Sequence, residues 1–154
     1  MKATPRRPIT RSGFTLLETV MVVVVLSILA MGLLPLVRKA SDSWRARHAA
    51  GLIMNDLETA FSLASRQRTP VRLTCYCEQQ RYVITDRARG TVLLERKLGP
   101  GSEYGMRTLA FSLNPIDIFP PGSSSGAVTV TVTATSGASH QITMSQAGLV
   151  REVN

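Results

Sequence analysis

Between Phe14 and Val37 the chain runs through 24 residues with one charged side chain, Glu18. No other feature constrains the fold so tightly. An α-helix rises about 1.5 Å per residue, so one of this length spans a hydrocarbon core of about 30 Å. The stretch is rich in Val, Leu, Ile and Met and holds no cluster of turn residues. It reads as a single membrane-crossing helix. A secretory signal peptide has a shorter apolar region that ends at a small-residue cleavage site. Here the polar-to-apolar junction, Arg11-Ser12-Gly13, lies before the apolar run. An ionised carboxylate near the start of such a helix is costly unless it has a partner. Glu18 is therefore a candidate functional residue, the plainer alternative being a carboxylate near enough to the interface to reach water.

The residues Gly13-Phe14-Thr15-Leu16-Leu17-Glu18, after a short basic leader and before an apolar helix, resemble the processing site of type IV prepilins and type II secretion pseudopilins. The resemblance implies that a prepilin peptidase cuts between Gly13 and Phe14 on the cytoplasmic side. It also implies methylation of the new amino group on Phe14. Glu18 then becomes the fifth residue of the mature chain. A buried N-terminal ammonium needs a counter-charge, and Glu18 of a neighbouring subunit can supply it during filament assembly. Pro35 falls 22 residues into the mature chain, where pilin helices often carry a kinking proline. A proline there removes one helix hydrogen bond and bends or loosens the helix.

Charge supports this organisation. The formal net charge is +8, but Lys2, Arg6, Arg7 and Arg11 all lie in residues 1–13 with no acid beside them. Without them, 14 basic and 10 acidic side chains remain, a net of +4. Basic residues ahead of the span hold that end in the cytoplasm and place the C-terminal part outside. The remaining excess permits an acidic partner without demanding one.

Residues 1–13 thus read as a leader peptide, with Pro5 and Pro8 opposing helix. Residues 14–37 read as the transmembrane helix. Residues 38–69 continue it in amphipathic form: Ile53, Leu57, Phe61 and Ala64 share a stripe, Leu52 and Ala60 flank it, and Arg45, Arg47, Asp56, Glu58 and Arg66 provide the polar surroundings. Trp44 stands near the membrane exit, where an amphipathic ring is favoured. Thr69-Pro70 is a stop.

From Pro70 the period shortens to two. Val71, Leu73, Cys75 and Cys77 share one face, Glu78-Gln79-Gln80 reads as a turn, and Arg81–Asp86 returns as a second strand. Thr91–Leu98 follows as a strand, and Leu109, Phe111 and Leu113 alternate in a short one. Residues 114–126 read as a loop. Val128, Val130 and Val132 alternating with threonines make the cleanest strand, followed by turns at Ser136-Gly137 and Ala147-Gly148. The expected fold class is α+β: a long N-terminal helix packed on an antiparallel, β-sandwich-like head at residues 70–154. Side chains at i and i+2 of a strand lie about 7 Å apart, so Cys75 and Cys77 read as small packing residues or reduced thiols, although an exported location permits a disulfide.

The amphipathic helix ending near Ala64-Ser65-Arg66, the late Phe119-Pro120-Pro121-Gly122-Ser123-Ser124-Ser125-Gly126, the Val/Thr strand and Gly148 together resemble the GspH/FimT-type minor pseudopilin domain. With the N-terminal motif, the resemblance covers nearly the whole mature chain. It implies a structural subunit of the type II secretion pseudopilus, single-pass in the inner membrane with its head in the periplasm. The implied partners are prepilin peptidase, other major and minor pseudopilins, and secreted proteins. The same domain family has type IV pilus members linked to DNA uptake, with a basic motif after the late glycine. Here that stretch is Gly148-Leu149-Val150-Arg151-Glu152, with one basic residue. Arg66, Arg68, Arg72, Arg81, Arg87, Arg89, Arg96 and Lys97 are the other candidates for a DNA-binding patch.

An enzyme finds no support. The sequence holds no nucleophile motif, phosphate loop or metal-ligand cluster, and Ser123-Ser124-Ser125 lacks a G-x-S-x-G frame. His48 and His140 fall in different expected elements. No cofactor and no metal are expected.

Overall fold

The computed structural model describes residues 15–153. The chain divides into two compact units between Val37 and Arg38. One helix, α1, runs over Leu16–Gln67 with Pro35 inside it.

In the second unit the helix buries Ala46, Ala49, Ala50, Ile53, Leu57, Ala60 and Ala64. Their spacing is the three-to-four-residue step of one helix face. Five of the seven are alanine, so little side-chain bulk separates this face from what covers it. Phe61 and Leu52, expected within or beside the stripe, are half-buried at its margin. Arg66 in the last turn complements the negative end of the helix dipole. Arg68 then turns left-handed (φ 54°), and Pro70 prevents resumption of the helix.

Among the described residues nine strands follow: β1 Val71–Tyr76, β2 Arg81–Asp86, β3 Val92–Lys97, β4 Met106–Phe111, β5 Ile116–Phe119, β6 Ser123–Ser124, β7 Val128–Ala134, β8 Ser139–Met144 and β9 Val150–Val153. They form two antiparallel sheets, ordered β3-β2-β1-β5-β6 and β4-β7-β8-β9. Val71, Leu73, Tyr82, Ile84, Ile116 and Ile118 of the first sheet join Met106, Leu109, Val130, Val132, Ile142 and Met144 of the second in one core with the helix stripe. The expected helix-plus-antiparallel-head architecture is what the chain forms.

Three local expectations are corrected. Residues 114–126 are not simply a loop: β5 pairs with β1 (Val71 opposite Ile118, Leu73 opposite Ile116) and β6 pairs with β5. The alternation of Ile116 and Ile118 is real, but it is only four residues long and is enclosed by Pro115 and Pro120. Cys77 does not continue the face of β1. The chain leaves the strand at Tyr76 and enters a 3₁₀ turn at Cys77–Gln79. This brings the Cα atoms of Cys75 and Cys77 to 5.2 Å, and the two are joined by a disulfide. Finally, β4 buries Met106 and Leu109, three positions apart. The register with β7 shifts between Met106 and Thr108, so Arg107 is an extra residue that reverses the parity of the strand.

Candidate functional site

In the first unit the functional expectations fall on Gly13, Phe14, Glu18 and Pro35. Gly13 and Phe14 lie outside the described residues. From Thr15 to Val37 every side chain is exposed, including Leu16 at 85% and Val22 at 50%. By length and composition this stretch could cross a membrane. Thr15 caps the helix: the Glu18 backbone N–H donates to its Oγ1 at 3.3 Å. Glu18 therefore occupies the third helical position of a T-x-x-E start, where the positive end of the helix dipole favours a carboxylate. Local helix chemistry alone accommodates a glutamate there. The Thr19 and Ser27 hydroxyls donate to the carbonyls of Thr15 and Val23, at 3.0 and 2.7 Å. Both polar groups are thus satisfied within the helix and compatible with an apolar surrounding.

The second unit holds a polar cluster that the sequence reading placed on the surface. Asp56 is not part of the polar surroundings: it is 2% exposed, on the buried stripe between Ile53, Leu57 and Ala60. The Tyr82 hydroxyl of β2 donates to its Oδ2 at 2.7 Å. Arg96 of β3 donates through Nε at 2.9 Å and Nη2 at 3.3 Å. Burial, reinforced by the bond to Asp56, pushes the Tyr82 phenol far above its ordinary range, so it remains a donor. One carboxylate on the helix thereby ties two strands of the first sheet. Ile53 at i−3 and Ala60 at i+4 mark position 56 as inward-facing, which is the signal that was available in the sequence.

Four of the candidate basic residues have internal acidic partners. Arg72 grips Asp117 through two hydrogen bonds of 2.7 and 3.0 Å, and Arg87 approaches the same carboxylate at 3.5 Å. The Arg72 hydrogen bonds hold the Asp117 carboxyl below its usual range. Arg81 pairs with Glu95 at 3.2 Å and lies over the Tyr76 ring, and Arg96 belongs to Asp56. Among the described residues, Arg66, Arg68, Arg89, Lys97 and Arg151 make no ion pair. Glu152, next to Arg151, takes His140 Nδ1 at 3.0 Å instead.

The serine- and glycine-bearing elements are stitching. Ser124 is 3% exposed; its N–H donates to the Gln146 carbonyl at 2.9 Å and its Oγ to the Gly126 carbonyl at 2.8 Å, tying the edge of the first sheet to the β8–β9 turn of the second. Gly148 in that turn has φ +80°, and a Cβ there would stand 3.0 Å from the Phe61 ring. The Asn114 side-chain amide gives and takes a hydrogen bond with the backbone of Cys75, both 2.8 Å, in the manner of a strand neighbour. Among the described residues no three His, Cys, Asp or Glu side chains gather as metal ligands.

A family model described as type II transport protein GspH matches residues 49–148, from the buried helix stripe to the glycine against Phe61. The chain belongs to the GspH family. Among solved structures, this GspH-family chain is similar to the minor pseudopilin EpsH from the type 2 secretion system of Vibrio cholerae, with a TM-score of 0.59 at 13% identity over 71% of this chain and 96% of that one. It is also similar to the type IV minor pilin FimU of Pseudomonas aeruginosa in two crystal forms. Their TM-scores are 0.56 and 0.57 at 16% and 18% identity, over 70% and 71% of this chain and 92% and 88% of those. At such identities the likeness establishes the shared fold. No curated protein sequence matches. GspH-family proteins are pilin-like structural subunits that assemble with other pseudopilins or pilins, and they are not known as enzymes.

Proposed function

We propose that this protein is a minor pseudopilin, a structural subunit of a type II secretion pseudopilus that helps export folded proteins across the outer membrane. The observation that carries the reading is the GspH match over residues 49–148 in a chain whose helix begins with a long apolar stretch. In this reading residues 1–13 are removed by prepilin peptidase between Gly13 and Phe14, and Phe14 is N-methylated. Residues 14–37 cross the inner membrane once, residues 38–69 continue the helix, and residues 70–154 form a periplasmic head. Glu18 neutralises the new terminus of a neighbouring subunit, and Pro35 loosens the helix for packing. The protein works by assembly, with other pseudopilins and secreted proteins as partners.

The second reading is a minor type IV pilin involved in pilus assembly or DNA uptake, favoured by the likeness to FimU. Against its DNA-binding form stands the commitment of Arg72, Arg81, Arg87 and Arg96 to internal acids. Two measurements test these readings, the first their shared assembly step and the second the DNA-binding form of the alternative. Crosslinking into the filament should fall at least about tenfold in Glu18→Ala, because a buried ammonium then lacks its counter-charge; undiminished incorporation would remove that role. Titration of the protein with duplex DNA should show no saturable, salt-sensitive binding. Binding that falls steeply with salt would move the assignment to the pilus.

A further inference from the structure

The first sheet ends at β3. That strand stands last in the order, and among the described residues no backbone group of Val92–Lys97 bonds to any element but β2. An open edge of this kind is a template for another strand, and proteins blunt it with prolines, coverings or bulges. β3 holds no proline. Its bulge falls early, where Leu93 is the extra residue between Val92 and Leu94. From Leu94 to Lys97 the register with Arg81–Ile84 is regular. Val92, on the other side of the bulge, is 61% exposed.

At the regular end of this edge lies a cleft of about 530 Å³, lined by Gln79, Gln80, Arg81, Lys97 and residues 99–102. No carboxylate lines it. Lys97 stands directly opposite Arg81 in the register. Like charges so placed repel and weaken a strand pair. Internal partners relieve this only in part. Arg81 gives Nε to Gln79 Oε1 at 2.7 Å and Nη1 to Glu95 at 3.2 Å, so most of its N–H donors are uncommitted. Lys97 forms no ion pair among the described residues, although Glu95 and Glu103 line a separate cleft beside it. The fold thus keeps two cations face to face over an acid-free cleft, and local conflicts of this kind are expected at functional sites.

We infer that the β3 edge docks an extended acidic segment of a partner protein, which pairs with Leu94–Lys97 as an added strand and sets a carboxylate between Arg81 and Lys97. The inference rests on the reading of the chain as an assembling subunit and adds the chemistry of one partner. Main-chain hydrogen bonds along the edge supply affinity, and the two cations select the acidic end. A second copy of this chain fits less well, because the net charge of +8 makes copies repel. Duplex DNA also fits less well. It is bound by rows of cations that neutralise successive phosphates, whereas these two are flanked by Glu95 and Glu103.

The experiment selects displayed random peptides of about ten residues, long enough to pass the end of β3, on the full-length protein in a non-ionic detergent. Affinities of the selected peptides are then read by fluorescence anisotropy. The peptides should carry Asp or Glu, and Lys97→Gln should weaken them about fivefold. N-methylation of alternate backbone amides removes ladder bonds and keeps charge. In an added strand only one set of alternate amides faces β3, so methylating that set should weaken binding at least about tenfold while methylating the other is tolerated. Lys97→Gln should also raise the thermal midpoint, because it relieves the repulsion with Arg81. A lowered midpoint would make Lys97 a structural residue and overturn its ligand role. Selection of no peptide or of neutral ones, acidic peptides indifferent to Lys97→Gln, or equal tolerance of both methylated sets would overturn the site. Equal competition by duplex DNA would overturn it in favour of nucleic acid. None of these outcomes touches the assembly reading, which stands or falls with the incorporation of Glu18→Ala into the filament.

Discussion

The two halves of α1 invert the usual rule about what a folded chain buries. Leu16–Val37 is mostly Val, Leu, Ile and Met, yet all of it is exposed. Arg38–Gln67 is far more polar, yet it supplies Ala46, Ala49, Ala50 and Ala60 to the core at 0–1% exposure, together with the carboxylate of Asp56. Uniform apolar content marks the stretch that the chain does not cover itself; periodicity marks the stretch that it does. In the first half the apolar residues surround the helix without a preferred side. In the second they are thinned to a stripe of small side chains, which suits close approach to one specific surface.

That contrast can be broken at several points. The largest effect is expected at Asp56. Asp56→Ala strands the buried Tyr82 hydroxyl and leaves Arg96 without its acceptor, and should cost about 2–4 kcal/mol in urea unfolding of the head. A cost near zero would show the clamp to be ornamental. Ala60→Leu inserts bulk into a fully covered position and should cost about 1–3 kcal/mol by the same measurement. A tolerated leucine would mean that the stripe does not need small residues.

A smaller effect concerns acid. Asp117 sits below its ordinary carboxyl range because Arg72 hydrogen-bonds its charged form. Its contribution is therefore present above the unfolded carboxyl value and is lost as pH falls through the lower folded one. Between about pH 6 and about pH 3 the wild-type head should lose more thermal stability than Asp117→Asn. Equal losses would show that the pair does not couple to folding. The smallest effect belongs to the first half of the helix. Val24→Ala should leave head unfolding within about 0.5 kcal/mol of wild type, whereas the chemically identical Val130→Ala, in the core, should cost about 2 kcal/mol.

The parts of the fold that announced themselves do so through long, unmixed patterns. The apolar run to Val37, the Ile53/Leu57 stripe and the Val/Thr alternation of β7 each persist for seven residues or more, long enough to outweigh local noise. What escaped was short or of mixed character. β5 and β6 together hold six residues among prolines and serines, and the strand that anchors them to the sheet, β1, lies far away in sequence. Asp56 escaped because polarity was read ahead of position. Ala46, Ala49 and Ala50 escaped because alanine carries little hydropathic signal. Ideal strand geometry, which keeps the two cysteines apart, holds for Cys75 but ends at Tyr76. The arginines were countable in the sequence, but their acids were not assignable: Asp117 is 45 residues from Arg72, and Asp56 is 40 from Arg96.

The order in which the chain visits its two sheets has a temporal consequence. β1–β3 build the first sheet, β4 begins the second, β5 and β6 return to the first, and β7–β9 finish the second. The first sheet has all five strands once Ser124 is in place, but the second is complete only at Val153. A chain delivered N-terminus first holds β4 without its neighbour until β7 arrives, and both must wait through loop closures that grow in entropic cost with length. The second sheet therefore stays unfinished until almost the last residue has emerged, and until then the strand edges that β7 and β9 later cover are open to foreign strands.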